Sequence, residues 1–329
     1  METDHISQEE LAYALQCDVR TFSLHPIQEA PRGYMADVYR LKVDCGEETR
    51  SVIMKTASHD PERRAMAERF GSYVNEQRFY GELARELPFR TPECYHNATD
   101  RFLLLLQDLG DEGTVSTSEG ASEGKAATAI ATLARIHAHF MLHPPKQQQT
   151  IETGLVSAVE DMQSFVLDSL QNFSGREPAR TLAQHYARNS LAYVSLFTGQ
   201  DQVFTHMDYR LDNLRFLDDV VVLDWGESSH APAGFDLASF MAGSLAAADR
   251  RHWESGLLDL YCATLRNTGV ACDRQEILDS YRLALLPSLY LPGLVFTHGN
   301  RDEGELLLDR HLAAIEDHCT YLAGVRENI

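Results

Sequence analysis

The hydrophobic pattern of this chain is mostly strand-like before residue 107 and mostly helical after it, and that change limits it to a sheet-containing part followed by a helical one. Before it, VRTFSLHPI, DVYRLKVDC and RSVIMKTA alternate apolar with polar residues and are rich in β-branched side chains. A period of two broken by Gly, Pro and charged turns predicts antiparallel strands. One helical stretch lies among them, from about 61 to 87, where Met66, Phe70, Tyr73, Phe79, Tyr80 and Leu83 recur every three or four residues. FLLLLQDLG then reads as a fully apolar strand ending in a turn. At the N-terminus Ser7 precedes Glu10 by three residues, a capping box opening a short helix to about Gln16. Beyond Gly110 helices are predicted at 122–140, 155–172, 179–197, 238–247, 253–268, 274–291 and 306–323, with GTVSTSEGASEG as a loop. The expected architecture is α+β: a small antiparallel β N-lobe with one long helix (1–107) and a larger, mainly α-helical C-lobe (108–329).

HMDYRLDN, residues 206–213, carries the functional question, because it sets His206, Asp208 and Asn213 in one stretch ahead of a predicted hairpin. The strands are expected at 214–216 and 220–223, with Asp218 and Asp219 as turn residues, and VVVL leads straight into Asp224. Such a hairpin is expected to bring Asp208, Asn213 and Asp224 to one edge. Phosphoryl transfer from a nucleotide needs oxygen ligands for hard Mg²⁺ ions and a separate acid that accepts the proton of the attacking hydroxyl. Protein kinases meet this need with H-R-D-x-x-x-x-N and D-F-G. His206, Asp208, Asn213, Asp224 and Gly226 match that spacing, while Met207 and Trp225 depart from the letters. Arg210 would offer a fixed cation to the transferring phosphoryl oxygens.

The remaining parts of such a site are expected upstream, in order. Lys55 of VIMKTA lies on a predicted strand, where its ammonium could reach the α- and β-phosphates of ATP, and Glu76 on the long helix would be its ion-pair partner. After the apolar strand, the backbones of Gln107 and Leu109 would offer an acceptor and a donor to an adenine edge. A phosphate-cradling turn is sparse here, because PRGYMADVYRLKV keeps only Gly33.

HMDYRLDN, VVVLDWG and FDLASF together resemble the signature of the aminoglycoside phosphotransferase and choline kinase superfamily, which is close to H-G-D-[YF]-x-x-x-N, an apolar strand with D-[WF]-x, and D-L-A. Within it the chain is similar to the ecdysteroid-kinase-like branch through GYMADVYRLKV, NEQRFYGEL, PECYHNATD, LLLLQDLG, EGASEGKAATAIATLARIHAHF and DRRHWESGLLDLYCATLRNTGV with YRLALL. The resemblance spans about 28–290. It implies a bilobal protein-kinase-like fold, ATP and Mg²⁺, transfer to a hydroxyl of a small molecule, Asp208 as base, Asn213 and Asp224 as metal ligands and Lys55 on the phosphates. Asp236 would brace the catalytic loop through its backbone amides. Met207 stands where the superfamily has Gly, which implies backbone strain or a narrowed acceptor side. The thin glycine turn and Met207 also fit an alternative, a nucleotide-binding scaffold that has lost catalysis.

Composition bounds the partners. A formal charge of −20 argues against binding a nucleic-acid backbone; it serves solubility and would also suit a cationic acceptor. The six cysteines are scattered without metal-ligand spacing and are expected to be free thiols. METDHISQEE lacks the features of a signal peptide, and the apolar stretch 283–296 is broken by Pro287 and Pro292, so a cytoplasmic chain without a membrane span is expected. Residues 225–235 leave no room for a long activation loop, which argues against a peptide acceptor. His206 is expected to be a structural group, His137 and His139 to be packing residues, and Tyr281, Tyr290 and Phe296 to be helix core.

Overall fold

The computed structural model describes residues 6–27, 35–146 and 151–327. Gly33 lies outside the described residues. Two compact units divide the chain: unit 1 is Met1–Glu112 with Val222–Gly226, and unit 2 is Gly113–Val221 with Glu227–Ile329. The segment Val222–Gly226, which a linear reading assigns to the second domain, belongs to the first unit.

In unit 1 the predicted capping box closes over helix α1 (Gln8–Leu15): the Glu10 amide donates to Ser7 Oγ at 3.1 Å and the Ser7 amide to the Glu10 carboxylate at 2.9 Å. Strands β1 (Thr21–Pro26), β2 (Ala36–Asp44) and β3 (Thr49–Ala57) follow. The single helix expected over 61–87 is broken. Helix α2 (Pro61–Phe70), capped by Asp60 with Pro61 in its first turn, ends on Gly71 at φ 71°, and α3 (Ser72–Arg78) restarts there before a wide turn over Phe79–Leu83. Glycine enters the left-handed region without a Cβ clash, so it terminates a helix that the apolar period alone would continue. Strands β4 (Cys94–Asn97) and β5 (Leu103–Gln107) complete an antiparallel sheet of order β1-β2-β3-β5-β4.

Period-two alternation sends Leu41, Val43, Val52 and Met54 to the sheet face that packs on Ile6, Leu11 and Leu15. Leu103, Leu104, Leu105 and Leu106 are all buried; each such side chain withdrawn from water is worth about 2 kcal/mol. The expectation of six free thiols is corrected at one place, because Cys17 and Cys45 are joined as a disulfide with Cα atoms 5.7 Å apart. Pairing of β1 with β2, in register at Thr21 and Asp44, draws the chain before one strand beside the chain after the other. Cys94, Cys262, Cys272 and Cys319 carry free thiols.

Unit 2 opens with α4 (Glu123–Leu142), capped by Ser122, followed by α5 (Ile151–Asn172) and α6 (Ala179–Thr198). Four short strands come next, β6 (Val203–Thr205), β7 (Leu214–Phe216), β8 (Val220–Val222) and β9 (Ser229–Ala231), paired as β6 with β9 and β7 with β8. The chain then runs through α7 (Gly234–Ser244), α8 (Ala247–Asn267), α9 (Arg274–Ala284), α10 (Tyr290–His298), α11 (Arg301–Asp317) and α12 (Cys319–Arg326). The helix expected over 274–291 is interrupted ahead of Pro287, which has no N–H for the helical ladder. Helix α7 is buried at every residue, so its sequence shows no apolar edge from which to read its start. Tyr281 is fully buried as expected, whereas Tyr290 and Phe296 are only half-buried. No helix among the described residues is long and apolar enough to cross a membrane.

Candidate active site

Unit 1 gathers one cation and two acids. Lys55 lies on β3 on the face opposite Met54, and its Nζ sits 2.7 Å from Glu76 Oε1 of α3 and 2.9 Å from Asp224 Oδ1. Lys55 and Glu76 are buried, while the Asp224 side chain keeps 39% of its surface. Burial alone would push the Lys55 ammonium toward its neutral form, but the carboxylates of Asp224 and Glu76 outweigh it and hold the group above its usual value. Burial is also the largest influence on Glu76, raising its carboxyl to about 7 against the pull of Lys55.

The strip bearing Asp224 is anchored on both sides. The Val222 amide donates to Arg90 O at 2.9 Å, Trp225 stacks on Phe79 at 4.0 Å, and Asn75 Nδ2 donates to Gly226 O at 3.1 Å. Asp224 itself is left-handed at φ 60°, a conformation Asp tolerates better than most residues. Gln107 ends β5 with its amide donated to Glu93 O at 2.8 Å, and Leu109 follows in the adjoining turn. That turn is shaped by Asp108, which accepts from Gly110 N at 3.0 Å and meets Arg40 Nε at 2.9 Å.

Unit 2 holds the HMDYRLDN loop. Its entry is clamped by Asp236 from the first turn of α7, whose Oδ2 accepts from the His206 amide at 2.8 Å and whose Oδ1 accepts from the Met207 amide at 2.7 Å. Asp236 is fully buried and lies 3.0 Å from His137 Nε2, while His137 Nδ1 lies 2.7 Å from Tyr261 Oη. His137 is therefore a buried polar link to the loop clamp rather than plain packing. Met207 sits at φ 67°, the left-handed conformation that glycine adopts without strain. His206 is fully buried, and its Nδ1 accepts from the Asp208 amide at 3.3 Å. Tyr209 fixes the middle of the loop by donating to Ala129 O of α4 at 2.8 Å.

The Asp208 carboxylate is held from both sides. Arg210 Nε donates to Oδ1 at 2.8 Å, and Asn213 Nδ2 donates to Oδ2 at 2.7 Å and to the Asp208 carbonyl at 2.8 Å. With its amide protons committed in this way, Asn213 keeps Oδ1 as its acceptor atom. The Arg210 guanidinium joins Asp208 to Asp212. Asp212 in turn accepts from Thr117 Oγ1 at 2.9 Å. The one legible trace of Asp212 in the sequence is an acid two residues after Arg210; nothing there points to Thr117. Asp219, expected only as a turn residue, also meets Arg135 at 3.2 Å.

A lysine clamped between acids on an antiparallel sheet unit, and a His-x-Asp…Asn loop in a mainly helical unit, define the protein-kinase-like class of phosphotransferase folds. More narrowly, residues 26–271 match the model of the phosphotransferase enzyme family (APH), and the chain belongs to that family. Solved structures agree at the level of fold. Choline kinase LicA from Streptococcus pneumoniae is 15% identical with a TM-score of 0.58, covering 94% of this chain and 97% of that one. APH(2'')-IIa in its gentamicin complex is 12% identical with a TM-score of 0.53, covering 96% of each chain. Spectinomycin phosphotransferase APH(9)-Ia, in complex with ADP and spectinomycin, is 14% identical with a TM-score of 0.52, covering 95% and 98%. No curated protein sequence matches the chain.

Proposed function

We propose that the chain is an ATP-dependent kinase that phosphorylates a hydroxyl group of a small molecule. The observation that carries this reading is the state of Asp208: a partly exposed carboxylate oriented by Arg210 and Asn213, on a loop whose backbone Asp236 fixes. That is what a group accepting the proton of an attacking alcohol requires. In the proposed reaction the alcohol oxygen forms a bond to the γ-phosphorus, the bond from that phosphorus to the ADP oxygen breaks, and the hydroxyl proton passes to Asp208. Lys55, held in place by Glu76, neutralises charge on the α- and β-phosphates, with Gln107 and Leu109 on the adenine edge.

The donor chemistry fits Mg²⁺. The Asp224 carboxylate of unit 1 and the Asn213 amide oxygen of unit 2 are each hard oxygen donors of the kind that ion takes. A magnesium ion characteristically takes one or two protein oxygens and completes its shell with phosphates and water. When bound it would offset charge on the β- and γ-phosphates.

The test is to incubate the protein with MgATP and a panel of aminoglycosides, choline, sterols and hydroxy acids, following ADP and the phosphorylated product. Transfer to at least one alcohol is expected; tight ATP binding with no product from any alcohol would favour the catalytically silent scaffold.

A further inference from the structure

Asp212 and Thr117 are not needed to bind nucleotide or metal in the proposed reaction, yet both are buried and joined to the base through one cation. Arg210 donates from Nε to Asp208 and from its terminal nitrogen to Asp212, and Thr117 Oγ1 donates to the other oxygen of Asp212 at 2.9 Å. We infer that Thr117 and Asp212 are positioning residues for Asp208, acting through Arg210. The inference rests on the phosphotransfer reading.

The physical reason is rotational freedom. An arginine side chain has many rotamers, and a single hydrogen bond to Asp208 would leave the guanidinium able to swing. A second carboxylate gripping the other end of the same planar fork removes that freedom, and Asp212 can grip only if its own carboxylate is oriented. Thr117 supplies that orientation because its backbone is locked. Arg310 of α11, itself buried, donates to Thr117 O at 2.6 Å, to Ser118 O at 3.1 Å and to Gly243 O at 3.1 Å.

The ends of the Thr117 loop are tied as well. The Phe216 amide donates to Gly113 O at 2.9 Å, and the Ala121 amide to Ser244 O at 2.9 Å. Gly113 is required there, since it sits at φ 71° and a Cβ would come within 2.5 Å of Phe216 O. The segment that reads as an unremarkable Ser/Gly loop is thus the fixed end of a chain of contacts running Thr117, Asp212, Arg210, Asp208.

Misplacing a catalytic group by a fraction of an ångström costs rate without weakening the binding of a distant nucleotide. The experiment compares the parent with Thr117→Val, Thr117→Ser and Asp212→Asn in steady-state transfer to an accepted alcohol, with urea unfolding of each. Thr117→Val and Asp212→Asn are expected to lower kcat on the order of tenfold to a hundredfold with the KM for ATP unchanged, and Thr117→Ser to restore most of it. An active parent whose Thr117→Val and Asp212→Asn variants match it in kcat overturns the inference alone. A Thr117→Ser variant as slow as Thr117→Val also overturns it, because the hydroxyl is then not what matters. A parent that transfers phosphate to no alcohol overturns the phosphotransfer reading and this inference with it.

Discussion

Lys55 Nζ lies 2.7 Å from Glu76 Oε1, and both side chains are buried between β3 and α3. Removing Glu76 leaves the buried Lys55 ammonium with only the partly exposed Asp224 carboxylate, 2.9 Å away, so Glu76→Ala is expected to lower the unfolding free energy by about 2 kcal/mol, read by urea denaturation. Replacing the pair by apolar residues of similar size removes both desolvated charges at once. The double variant Lys55→Met, Glu76→Leu should therefore recover most of that stability while phosphate transfer stays lost. A double variant as unstable as Glu76→Ala would contradict this account of the pair.

Met207 holds the left-handed conformation at φ 67° because Asp236 captures its amide at 2.7 Å. A non-glycine residue there carries on the order of 1 kcal/mol of strain, partly offset by its half-buried side chain. Met207→Gly is expected to raise stability by up to about 1 kcal/mol, and Met207→Val, with its branched Cβ, to lower it. Thermal unfolding of the two variants decides this; a lower melting temperature for Met207→Gly would mean that packing of the methionine outweighs the strain.

The ion pairs around Glu254 of α8 make the acid limb of stability predictable. Burial would raise the Glu254 carboxyl, but His318, Arg250 and Tyr281 together draw it from 4.5 down to about 2. The unfolded chain therefore binds more protons over that interval: the stabilisation is whole above pH 4.5 and is lost as pH falls toward 2. It is worth roughly 3 kcal/mol. Urea midpoints measured from pH 6 to 2 should fall steeply in the parent and less steeply in Glu254→Gln; parallel curves would reject the assignment.

The two units differ in how far they can be read from sequence. Ser7 with Glu10, the period-two strands and the apolar Leu103–Leu106 run are local signals, and the structure realises each of them. Gly71 lies inside the 61–87 stretch, but the apolar positions on either side of it keep one helical period, so the interruption falls where period and backbone chemistry disagree. Lys55 and Glu76 are 21 residues apart and meet because a strand and a helix of known type place them so. His137 and Asp236 are 99 residues apart, and Thr117 and Asp212 are 95 apart. No spacing rule links such pairs; only packing of α4 and of the Gly113–Ala121 loop reveals them. The Cys17–Cys45 link is not legible in the sequence because scattered cysteines carry no pairing information until strand register is known.

The most direct test of the central claim is the initial rate of ADP formation with an accepted alcohol, compared between the parent and Asp208→Asn. Asn keeps the size of the side chain but cannot accept the hydroxyl proton, so the rate should fall about 10²- to 10⁴-fold with ATP binding retained. An Asp208→Asn variant that turns over as fast as the parent would contradict the assignment of Asp208 as the base, and with it the proposed reaction at this loop.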